Sequence, residues 1–158
     1  MNRTISRVSV QEADFDMAAE TAALSAGRGD VGAVATFLGL VRADKLSGEG
    51  SEVNAMTLEH YPGMTEKSLE AILVEAESRW SLLGARVIHR YGRLVPGDRI
   101  VFVGVASAHR GEAFAACEFI MDYLKTRAPF WKKEDTPEGG RWVDARESDD
   151  SAASRWET

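Results

Sequence analysis

Residues 99–134, RIVFVGVASAHRGEAFAACEFIMDYLKTRAPFWKKE, pass through three kinds of segment. Residues 99–108 are an almost unbroken apolar and β-branched run, the pattern of a central strand. In 111–126, Phe114, Cys117, Met121 and Leu124 recur at steps of three and four, the stripe of an amphipathic helix. Pro129 ends it. The residue before a proline avoids the helical region, so the chain leaves the helix near Arg127 and runs extended through 129–134.

Working outward, residues 85–95 (ARVIHRYGRLV) and the Pro-Gly-Asp turn at 96–98 predict a strand antiparallel to 99–108. After the Pro62-Gly63 turn, Leu69, Ile72, Leu73, Ala76 and Trp80 fall at helical spacing, which predicts a helix over 65–80. Residues 31–41 and 54–61 read as strands joined by a polar, glycine-containing loop at 42–52, and 15–24 as a short helix. Residues 136–140, TPEGG, turn the chain back into RWVDA at 141–145. A polar segment at 147–158 is expected to be a partly unstructured tail. Helices interleaved with neighbouring antiparallel strands predict an α/β fold of the mixed-sheet, α+β kind, with one domain over 1–146.

The 158 residues, 44% hydrophobic and 28% charged, suit one core. No apolar run approaches the ~20 residues of a membrane span. The single cysteine, Cys117, forms no internal disulfide, and the first residues hold no apolar run of signal-peptide length, so a reducing cytoplasm is expected. Cys117 lies on the apolar stripe and reads as core. His60, His89 and His109 have no ligand-like partner three or four positions away, so no metal is expected. Gly27 to Gly32 matches G-x-G-x-x-G, but a helix precedes it and a strand follows, the reverse of the dinucleotide fingerprint; it reads as a turn.

Charge is uneven. The chain carries −6, yet residues 121–133 hold four Lys/Arg against one Asp. Cations interleaved with aromatics can track a nucleic-acid backbone, but the acidic remainder argues against that class. Lys125 sits at a helix C-terminus, where the dipole favours a cation and Asp122 and Glu118 are available partners; a site lysine is the other reading. Lys132 and Lys133 adjoin on an extended segment and point to opposite faces. His109-Arg110, between the apolar strand and the helix, reads either as an anion site or as a surface arginine paired with Glu112. Arg42, at the end of a strand, could add a bidentate phosphate contact.

These residues resemble the large, catalytic subunit of molybdopterin synthase. The likeness is carried by VGAVATFLGLVR at 31–42, LEHYPGMTEKSLEAI at 58–72 and the run over 87–146. Within that run, S-A-H-R followed by Y-L-K-T-R-A-P-F-W-K-K is the most specific part. The resemblance implies an α/β-hammerhead with a small antiparallel β subdomain. It implies a sulfurtransferase without a cofactor that converts cyclic pyranopterin monophosphate (precursor Z) into molybdopterin. The sulfur donor it implies is a small ubiquitin-like subunit bearing a C-terminal Gly-Gly thiocarboxylate, on a homodimer core that makes a heterotetramer. By motif, Lys125 and Lys132 are the catalytic lysines and Arg42, His109 and Arg110 hold phosphate and pterin. Lys133, Glu134 and Arg146 line the site. Leu40 stands where some relatives carry lysine, so contact there is expected from the backbone of Leu40 and Val41.

Overall fold

The rest of the molecule is arranged around one strand, β6 (Arg99–Ser107), whose residues from Val101 to Ser107 are all buried. The structure, a computed structural model, describes residues 7–43, 55–136, 139–143 and 147–157. The predicted loop beyond Ala43, Asn54, parts of the 136–140 turn and 141–145 segment, and Arg146 lie outside the described residues.

In chain order the other elements are β1 (Val8–Gln11), α1 (Met17–Ala23), β2 (Ala33–Leu40), β3 (Ala55–His60), α2 (Met64–Arg79), β4 (Gly84–Arg90) and β5 (Gly92–Leu94). After β6 come α3 (Arg110–Arg127), β7 (Phe130–Thr136), β8 (Gly139–Val143) and α4 (Glu147–Ser154). One sheet has the order β1-β4-β6-β2 and is mixed, with β1 parallel to β4 and both neighbours of β6 antiparallel to it. The second, β5-β3-β7-β8, is antiparallel throughout. The α/β architecture with a small antiparallel sheet is the one expected.

The helices cover the mixed sheet. α2 buries Thr65, Leu69, Ile72, Leu73 and Ala76, and Trp80 of the predicted row follows the helix as its C-cap, partly buried against the same core. On α3 the expected stripe holds at Cys117 and Leu124, which are buried, and at Met121, which packs on the core, but not at Phe114. Ala113, Ala116, Cys117, Phe119, Ile120, Tyr123 and Leu124 face inward, whereas Phe114 is 67% exposed. Two adjacent rows on this helix satisfy helical spacing, and the row of small alanines lets the helix lie close to β6 and β2. Removing the ring of fully buried Phe119 would cost about 3–5 kcal/mol.

Two further differences bear on the site. The predicted single strand over 85–95 is broken at Tyr91: β4 stays in the mixed sheet, while β5 crosses into the second sheet and pairs with β3. Gly92 has φ +89°, a backbone conformation that L side chains rarely adopt, and this makes the change of sheet sterically open. The C-terminal segment, expected to be partly unstructured, forms α4 and docks on α3. Trp156 sits edge-on to Trp80 and Phe119, 5.6 Å from each ring, and its indole N–H donates to Asp122 at 2.7 Å. Composition marked this segment as polar; one tryptophan and Ala153 suffice to anchor it.

Candidate active site

The site is built at a corner where two chain reversals are tied together. Thr65, fully buried at the start of α2, accepts a hydrogen bond from the Tyr61 N–H and donates one to the Pro129 carbonyl, both at 2.9 Å. The first reversal ends β3 at His60; the second, between α3 and β7, carries the cationic stretch. Pro129 stops α3 as predicted, and the chain enters β7 one residue later.

Register then assigns the faces of β7. His60 lies opposite Phe130, Leu58 opposite Lys132 and Met56 opposite Glu134, so these six residues share one face. Glu59 opposite Trp131 and Thr57 opposite Lys133 share the other, where Trp131 is half exposed. Lys132 and Lys133 therefore diverge, as their adjacency predicts. Lys132 Nζ lies 3.6 Å from Glu134 Oε1, and Glu134 is buried. A partly covered ion pair thus holds the Lys132 ammonium at the edge of the second core cluster, which comprises Val41, Met56, Leu58 and Leu94.

Beneath this face lies His89, 3% exposed near the end of β4. Its ring stacks on Phe130 with centroids 3.9 Å apart and planes 21° apart. Nδ1 is 2.8 Å from the Arg90 carbonyl oxygen. A carbonyl only accepts, so the proton is on Nδ1 and the lone pair on Nε2. Burial pushes the His89 pKa down to about 3; the bond to Arg90 opposes this, and Lys125 and His60 nearby push it down further. His89 is therefore a buried, neutral imidazole. His60 in turn lies against Tyr91, with ring centroids 4.2 Å apart.

Lys125, exposed in the last turn of α3, is near enough for its charge to act on His89. The acidic residues three and seven positions before it have another partner: Arg155 donates to Glu118 at 2.6 Å and to Asp122 at 2.8 Å. Arg42 approaches the same end of the sheet, because β2 ends opposite Arg99 and Val41 is in the cluster against which Phe130 packs. Val41 is buried, its N–H donates to Asp98 O and its carbonyl accepts from Gly97, so it serves to hold the strand end. Leu40, next to a register shift, is 54% exposed.

His109 and Arg110 are not part of this corner. They begin α3 and Lys125 ends it, so about 22–24 Å of helix separates them. Both are exposed, and His109 is the N-cap residue without a side-chain capping bond. Glu112, the alternative partner for Arg110, accepts from Ser107 Oγ at 3.2 Å. This second rim is tightly built: a Cβ on Gly32 would come within 2.2 Å of the Ala108 carbonyl, which only glycine avoids. Arg146 lies outside the described residues.

Cys117 is buried in the main core, and burial pushes its thiol pKa up to about 11, so it is a packing residue. Residues 27–30 form the expected turn, closed by an Arg28–Asp30 ion pair at 3.0 Å. His60 and His89, which the sequence presents only as possible metal ligands, both lie at this corner. The available signal was parity: His60 is two and four residues beyond apolar Leu58 and Met56 on one strand face.

The MoaE protein family matches residues 10–127. The molybdopterin synthase catalytic subunit of Ralstonia nicotianae is 63% identical over 149 residues, covering 94% of this chain and 83% of that protein. The solved molybdopterin biosynthesis MoaE protein of Burkholderia ambifaria superposes with a TM-score of 0.81 at 54% identity, covering 98% of this chain and 99% of the other. The crystal structure of molybdopterin synthase from Staphylococcus aureus gives a TM-score of 0.80 at 27% identity, covering 89% of this chain and 98% of that one.

Proposed function

The chain belongs to the MoaE family, the molybdopterin synthase catalytic subunits, and from that premise we propose that it inserts the two dithiolene sulfurs of molybdopterin into cyclic pyranopterin monophosphate in the cytoplasm. The sulfur comes from the C-terminal thiocarboxylate of a small ubiquitin-like carrier. Both reactants are anions, and two anions share a pocket only where several cations offset their repulsion. The observation that carries this reading is the corner itself, where buried His89 stacks on Phe130, Lys132 lies two residues further along the same strand face, and the Lys125 charge acts on His89.

In this reading the thiocarboxylate sulfur attacks an oxygen-bearing side-chain carbon of the pterin, the new carbon–sulfur bond replaces a carbon–oxygen bond, and the oxygen leaves with a proton or on the phosphate. Lys125 moves the proton, and Lys132, steadied by Glu134, stabilises the negative charge that develops. Arg42 binds the substrate phosphate at the same rim, with Lys133 and Arg146 further out. His109 and Arg110 reach that phosphate only from a second copy of the chain, since helix length keeps them from the corner of their own copy. A homodimer suits the surface: among the described residues β2 is an edge strand, and Phe37, Leu40 and Phe114 are exposed around it.

The test mixes the purified protein with thiocarboxylated carrier and cyclic pyranopterin monophosphate and follows the dithiolene product. Wild type forms it; Lys125→Ala binds the carrier but is nearly inactive. A Lys125→Ala variant that turns over at the wild-type rate removes Lys125 from the chemistry.

A further inference from the structure

The corner contains a group that the lysine chemistry leaves unused. We propose that His60 is a further catalytic residue, the base that activates the water needed to release the spent carrier; this rests on the sulfur-transfer reading above.

The need for such a base follows from atom balance. Once the thiocarboxylate sulfur is bonded to a substrate carbon, the carrier's terminal carbonyl is joined to the substrate as a thioester. Water must supply the oxygen that restores the carrier's carboxylate. Its oxygen bonds to the carbonyl carbon, the carbon–sulfur bond breaks, and the sulfur stays on the pterin as thiolate. The water proton goes to a base and from there to the thiolate or to solvent. No oxidant or reductant takes part.

Position favours His60 for that proton. It ends β3 on the face shared with Lys132, directly opposite Phe130, which makes it a diagonal neighbour of Lys132 at about 7–8 Å. It is half-buried. The Tyr91 ring supports it from one side, and the adjoining Tyr61 N–H is fixed by Thr65. The other imidazole of the corner is unsuited: His89 is buried, and its Nδ1 is committed to the Arg90 carbonyl. The lysines, as cations beside two anionic reactants, serve better as electrostatic partners, whereas an imidazole offers a ring nitrogen that can accept a proton. The charged and titratable groups around His60 are Lys132 and Glu134 from β7, His89 from β4, Tyr91 from the β4–β5 break and, through His89, Lys125 from α3.

The experiment is a single-turnover reaction of wild type and His60→Gln with thiocarboxylated carrier and cyclic pyranopterin monophosphate, sampled by mass spectrometry across pH 5.5–8.5. His60→Gln is expected to release carrier about 100-fold more slowly. It should accumulate a covalent carrier–pterin conjugate and lose the acidic limb of the pH–rate profile, and added imidazole should restore part of the rate. His60→Asn, a second variant with its fold checked by melting temperature, should behave alike. An unchanged rate overturns the proposal. So does a slower rate with the profile unaltered and no conjugate, since that marks a structural role. A wild type that yields no product refutes the sulfur-transfer reading instead.

Discussion

Between pH 7 and pH 5 the stability of this protein should fall by about 2 kcal/mol through His89 alone. The ring is 3% exposed, and its pKa drops from the ordinary 6.5 to about 3 on folding. Between those values the unfolded chain takes up a proton that the folded chain refuses. The contribution is therefore fully present above pH 6.5 and is lost as pH falls toward 3. Each pH unit inside that window is worth about 1.4 kcal/mol, so the step from 6.5 to 5 removes about 2 kcal/mol. His89→Phe keeps a flat ring against Phe130 and cannot take a proton. It also forfeits the bond to the Arg90 carbonyl, but that loss is the same at every pH and cancels in a comparison of slopes. Urea denaturation of both proteins at pH 7, 6 and 5 gives the measurement. The wild-type stability should converge on that of the variant by about 2 kcal/mol across the series, or about 4–8 °C in melting temperature for a chain of this size. Parallel curves would show that His89 is protonated in the folded state, and the buried, neutral imidazole would have to be abandoned.

Thr65→Val removes the hydroxyl that links the two chain reversals and should cost about 1–3 kcal/mol by urea denaturation. It should also slow turnover, whereas Thr65→Ser keeps both bonds and should match wild type. Cys117→Ser places a hydroxyl in the main core and should lower stability by about 1–3 kcal/mol while sulfur transfer from preloaded carrier continues; an inactive but folded variant would make the thiol a reactant. Phe37→Glu puts a charge on the exposed edge strand and should shift the protein to monomer in light scattering. That monomer should lose turnover in proportion if His109 and Arg110 act across the interface.

The chain's own pattern determined much of this protein. The apolar run that becomes β6, the row that becomes the buried face of α2, the stop at Pro129 and the divergence of Lys132 from Lys133 are local properties, set by backbone sterics and by side-chain periods of 2 and 3.6.

Other features were decided only by tertiary packing. On α3 the expected stripe was buried at Cys117 and Leu124, while packing on the sheet added an alanine row and left Phe114 in solvent. The polar C-terminal segment became α4 because Trp80 and Phe119, distant in sequence, offered Trp156 an edge-on seat. The pairing that sets His60 against Phe130, and the burial that strips His89 of its charge, likewise join segments about 40 to 70 residues apart. No local rule reaches that far: such contacts form where burial and shape complementarity outweigh the entropy of closing long loops, and those quantities exist only once the chain has folded.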